Sequence, residues 1–138
     1  MQKKDIKKTQ GGFTLIEIIA VLVILGILAA VAVPKFIDLQ GQSKKNAAMG
    51  QVAEIKSTLN LAYAKYLLKN AGEKPTGTQV LTEAGLEAGD HNIGTAPDIW
   101  NITTAVTGDV VTITVNSRGN PADTGYNETG TWTVPPHS

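Results

Sequence analysis

From Phe13 to Val33 the chain reads FTLIEIIAVLVILGILAAVAV, with Thr14 and Glu17 its only polar positions, and Pro34 follows. As a helix, this run would be roughly 30 Å long, about the thickness of a bilayer's hydrocarbon core. It is apolar all round, so the pattern predicts a membrane-length helix and not an amphipathic one lying on a surface. Many of its residues are β-branched, which in water would favour a strand. Length and a lipid surrounding override that preference, because in hydrocarbon a segment must satisfy its own backbone.

Beyond Pro34 the pattern changes to one apolar stripe. Ala48, Val52, Ile55, Leu59, Ala62 and Tyr66 recur at alternating steps of four and three, widened by Tyr63 and Leu67. Gln51, Glu54, Lys56, Asn60, Lys65 and Lys69 lie largely elsewhere, so residues 35–71 read as a helix with one buried face. Pro34, with Gly41 and Gly50, is expected to bend one long helix over 13–71 and not to end it. Such a helix would be on the order of 90 Å long, more than a small head needs. Gly72 is its stop signal, and Pro75 and Gly77 open a loop. Residues 72–98 show no sustained period and read as a packed loop, with a short helical turn around Leu81, Ala84 and Leu86.

The last third predicts strands. Trp100–Val106 alternates loosely, Val111–Val115 alternates cleanly with threonine on one side, and Thr107-Gly108-Asp109 between them reads as a hairpin turn. Residues 116–130 are turn-rich, and Thr131–Val134 offers a third strand that Pro135-Pro136 stops. A helix stripe and a sheet of about three antiparallel strands each have one apolar face to bury. The expected class is therefore α+β, a long N-terminal helix laid across a small antiparallel sheet. The expected divisions are a leader over 1–12, an apolar helix over 13–34 and a head over 35–138, its loop at 72–98 and its sheet at 99–134.

Charge adds a direction. Residues 1–12 carry four lysines against one aspartate, whereas the remainder carries eight basic against eleven acidic residues. A basic start before an apolar helix fits a leader kept on the cytoplasmic side, with a mildly acidic head outside. Past the leader no net positive charge remains to neutralise phosphates, which argues against nucleic-acid binding. The chain has no cysteine, so packing alone must hold the head together. An ordinary cleaved signal peptide fits poorly. The apolar run is too long, Ala29-Ala30-Val31-Ala32 lies inside it, and Glu17 sits just within its start.

Candidate chemistry is sparse. His91 and His137 stand in loop-like and terminal segments without a metal-ligand spacing, and read as solvated. Asp90, Asp98, Asp109 and Asp123 are scattered over turns without a compact calcium loop. No nucleophile, phosphate-loop or dinucleotide pattern is present, so neither catalytic residues, cofactor nor metal is expected. Asn101-Ile102-Thr103 and Asn127-Glu128-Thr129 match a glycosylation sequon that recurs by chance. Trp100, Trp132, Tyr63 and Tyr66 read as packing between helix and sheet.

One segment carries more. Gly11-Gly12-Phe13-Thr14-Leu15-Ile16-Glu17, after a basic leader and before an uninterrupted apolar helix, resembles the prepilin processing motif of type IV pilins and related pseudopilins. Pro34-Lys35-Phe36-Ile37-Asp38-Leu39-Gln40 is similar to the same stretch of mannose-sensitive-haemagglutinin-type pilins. The resemblance covers residues 1 to about 45. It implies cleavage by a prepilin peptidase between Gly12 and Phe13 and methylation of the new Phe13 amine. The twelve-residue leader and Phe13 resemble the type IVa class. It further implies a type IV pilin fold, an inner-membrane subunit before assembly, and a helical homopolymer raised by an assembly platform and ATPase. The fibre would serve adhesion, motility or DNA uptake.

Glu17 has a physical reason of its own. An unpaired carboxylate in hydrocarbon costs about 2.5 kcal/mol or more. Family resemblance implies that its partner is the Phe13 amine of a neighbouring subunit, which would make the pair a register device. A glutamate reaching back to the membrane surface is the plainer reading. Gly26 and Pro34 bracket a stretch that in assembled filaments of the family can lose helical form, and both residue types permit this. Three competitors remain: a type II secretion pseudopilin, a single-pass anchored binding module that never polymerises, and a secreted enzyme, for which no constellation is seen. The C-terminal disulfide loop of better-known pilins is missing, so features tied to it do not transfer.

Overall fold

The computed structural model describes residues 12–119 and 122–136. The basic leader through Gly11, and His137, lie outside the described residues. Elements follow in the order α1 (Leu15–Lys69), α2 (Gly77–Glu83), β1 (Gly89–Ile93), β2 (Trp100–Thr107), β3 (Val110–Arg118) and β4 (Glu128–Thr133). The chain divides into two compact units, Met1–Leu39 and Gln40–Ser138, and α1 contributes to both.

Pro34 lies inside α1, as the pattern predicts. The helix stops after Lys69 because Ala71 and Gly72 take positive φ, +50° and +87°. The Gly72 N–H then closes back on the Leu67 carbonyl at 2.8 Å, a Schellman-type end.

In the second unit the apolar stripe of α1 lies on the sheet. Ala48, Val52, Ile55, Leu59 and Ala62 are buried together with Ile102, Val111, Ile113, Val115, Trp132 and Val134. Tyr63, Tyr66 and Leu67 are half-buried at the edge of that stripe. The Trp132 indole N–H donates to Asn60 Oδ1 at 2.8 Å and its ring meets Tyr63 edge-on. A buried indole thus keeps its polar edge satisfied. β4 comes so close to α1 that a Cβ at Gly130 would stand 2.4 Å from Val52 Cγ1; glycine is what lets the layers touch here.

The sheet differs from the expectation in one respect: it has four antiparallel strands in the order β1-β2-β3-β4. β3 alternates as predicted, with Val111, Ile113, Val115 and Ser117 buried. On the other face Thr112 pairs with Thr131 and Thr114 with Thr129. Gly108 turns the β2–β3 hairpin at φ +62°, the sign that a two-residue turn of the II′ kind needs at its first position.

The added strand, β1, and the helix α2 both lie where a loop over 72–98 is expected. α2 is set by a capping box. Thr76 Oγ1 accepts from the Gln79 N–H, and Gln79 Oε1 accepts from the Thr76 N–H. Val80 and Leu81 are thereby driven into the core. β1 reads GDHNI, a composition poor in strand formers. It is held by its partner: Asn101 Nδ2 donates to Asn92 Oδ1 at 3.2 Å, and the Thr103 hydroxyl donates to Asp90.

Candidate assembly segment at the N-terminus

The first unit presents its apolar side chains outward. Every residue from 13 to 34 is exposed, among them Phe13 at 85 %, Ile16 at 70 % and Ile27 at 63 %. Burying a side chain of this size is worth about 1.5–3 kcal/mol, and nothing among the described residues collects that gain. The helix is long and apolar enough to cross a membrane.

Its start is built by Thr14 and Glu17. Thr14 Oγ1 accepts from the Glu17 N–H at 3.3 Å, and Glu17 Oε2 accepts from the Thr14 N–H at 2.8 Å. This reciprocal pair is a capping box, closing two of the four backbone donors that a helix leaves open at its N-terminus. The spacing Thr14-Leu15-Ile16-Glu17 is its signature in the sequence, a signal that the charge-based reading of Glu17 passes over. The carboxylate also lies in the first turn, where the helix dipole favours negative charge.

Phe13 and Glu17, four residues apart, line one shallow hollow with Ile18, Val21 and Leu22. Gly12 stands before the helix, exposed, with nothing within 4 Å of where a Cβ would be. Its size is therefore not demanded by packing among the described residues. Gly26 and Pro34 lie further along α1, both exposed and both helical.

The remaining candidates do not gather into a site. Among the described residues no three His, Asp or Glu side chains are grouped as a metal would need. His91, expected in solvent, is half-buried with Nε2 at 2.5 Å from the Glu87 carbonyl. Asp123 and Asp98 are held in ion pairs with Lys44 at 2.6 Å and Arg118 at 2.7 Å. Hydrogen bonding to Lys44 and to the Gly125 N–H keeps the Asp123 carboxyl below its ordinary range. Asn101 of the first sequon is occupied within the sheet, bonded to both Asn92 and Asn116.

The family described as the prokaryotic N-terminal methylation motif matches residues 7–33. A type II secretion system core protein G of Pseudomonas aeruginosa is 42 % identical over 79 residues, covering 51 % of this chain and 56 % of the relative. A fimbrial protein of the same organism is 37 % identical over 71 residues, covering 50 % and 46 %. The matched motif and these relatives are those of type IV pilins and pseudopilins. The type IV major fimbrial protein FimA of Dichelobacter nodosus is 34 % identical over 89 residues, covering 64 % of this chain and 54 % of the relative. The chain spans about half the length of the curated relatives it matches. No solved structure matches.

Proposed function

We propose that this chain is the precursor of a structural subunit of a type IV pilus. A prepilin peptidase cuts between Gly12 and Phe13, the Phe13 amine is methylated, and the subunit polymerises through residues 13–34. Before assembly that helix holds it in the inner membrane, with the head outside the cytoplasm. No catalytic role is proposed. The observation that carries the reading is the first unit itself: a membrane-length helix with one carboxylate, Glu17, at its start and no partner surface among the described residues.

Such a helix has two places to go, lipid and the helices of other copies, and a filament core offers the second. In that core Glu17 faces the new Phe13 amine of a neighbour. An unpaired charge there costs more than the pair returns, so the pair selects register more than it adds stability. Gly12 leaves no side chain beside the bond to be cut.

The second reading is a secretion pseudopilin, favoured by the 42 % identity to a type II secretion core protein. Antibody-labelled electron microscopy of cells making the chain separates the two. Labelled fibres on the cell surface are the expected result; processed subunit confined to the envelope, with no labelled surface fibre, transfers the chain to the secretion reading.

A further inference from the structure

The second unit of the head has two unlike flanks on either side of the buried stripe of α1. On one flank a cavity of about 240 Å³ opens between α1, the end of α2 and β1, walled by Ile55, Leu86 and Ile93 with Gln51 and Glu54. Gln51 is only 7 % exposed, yet its amide has no hydrogen-bond partner among the described residues. No sealed side-chain nitrogen or oxygen lacks a partner, so this amide opens onto the cavity. The carboxamide is therefore reached by solvent and free to bond whatever enters the cavity. Glu54, at the rim, has no ion pair among the described residues and is exposed.

The other flank carries the complement. Glu54 and Lys56 are two residues apart, about 200° around the helix, and so face opposite sides. Among the described lysines of this unit, Lys44, Lys45, Lys65, Lys69 and Lys74 are each ion-paired. Lys56 is not, and it lies half-buried along Gly130. Met49 stands two turns before it on the same flank, 53 % exposed. Methionine is flexible and fits irregular apolar gaps.

We propose that these flanks join successive copies of the chain head to tail. Met49 of one copy enters the Gln51 cavity of the next, and its Lys56 meets the next copy's Glu54. The contact uses two different patches, so it cannot close on itself as a twofold dimer; repeated without ring closure, it runs along a helical filament. Charge complementarity selects this occupant: Lys56, the lysine without an ion pair on one flank, matches Glu54, a carboxylate without an ion pair at the cavity rim on the other. The inference rests on the filament reading above and supplies its head-to-head contact.

A chain without cysteine permits a direct test. In full-length chain produced in cells, Glu54→Cys with Lys56→Cys places one thiol on each flank. The two point apart on one helix and cannot bridge within a copy. Mild oxidation is expected to give a ladder of dimers, trimers and longer species on a non-reducing gel, whereas either single variant gives no ladder. Fibres that contain the double variant but show no ladder overturn this contact and leave the filament function standing. Absence of both fibres and ladder, with the wild-type chain also forming no fibres, overturns both.

Charge exchange guards against loss of folding. Glu54→Lys or Lys56→Glu alone is expected to lower fibre yield several-fold, and the two together to restore it. Failure of the double exchange to restore yield, with the head still folded, contradicts the pairing.

Discussion

Glu17 closes a capping box with Thr14, and the proposed assembly gives it a second role that responds differently to substitution. As the third residue of a capping box it needs an acceptor oxygen, which glutamine also supplies. As a counter-charge for a neighbour's amine it needs the negative charge, which glutamine lacks. Glu17→Gln is therefore expected to leave cleavage intact while reducing fibres as severely as Glu17→Ala, read by quantifying processed subunit and sheared fibre together. Normal fibres from Glu17→Gln alone would reduce the residue to a helix cap. The sequence exposes both roles, one through Thr14-x-x-Glu17 and the other through a lone charge in an apolar run. Geometry then places Phe13 and Glu17 on one hollow.

Among the elements, α1 and β3 were legible because each has a clean period and a face that only one partner can bury. Gly72 marked the end of α1 through its positive φ, a backbone need that sequence states openly. α2 was half legible: Leu81 and Leu86 pointed to a turn, while the Thr76–Gln79 box that fixes its start went unread. β1 was not legible, since Gly, Asp and Asn disfavour strands and only the neighbouring β2 overrides them. The Gln51 cavity was equally hidden, because it is made by α1, α2 and β1 together.

α2 is fastened to α1 by Glu83, which lies 2.7 Å from both Lys65 and Lys69. Hydrogen bonding to Lys65 and then to Lys69 holds the Glu83 carboxyl below its ordinary 4.5. A carboxyl lowered on folding adds stability above its unfolded pKa, and that stability fades as pH falls through the lower folded value. Glu83→Gln is thus expected to lower the Tm of the detergent-solubilised chain modestly above about pH 5, with the difference from wild type narrowing in acid. A difference that stays constant to the lowest pH would assign the loss to packing. Exposed pairs of this sort contribute little individually, so the sign of the trend is the informative quantity.

At the scale of the whole molecule, the two units solve different problems. The head closes its own core, with helix stripe on sheet and no disulfide to assist. The first unit leaves an apolar helix open, and in the proposed function that helix meets first lipid and then other copies. In the proposed function, maturation connects the two states, because cutting after Gly12 would create a cation for Glu17 to pair with. That sequence of events can be read from the ends of the polypeptide. The most direct measurement is the intact mass of subunits from fibres sheared off cells that make this chain. The account predicts a polypeptide that begins at Phe13 and is one methyl group heavier than its sequence. Fibre subunits that still begin at Met1 would contradict it.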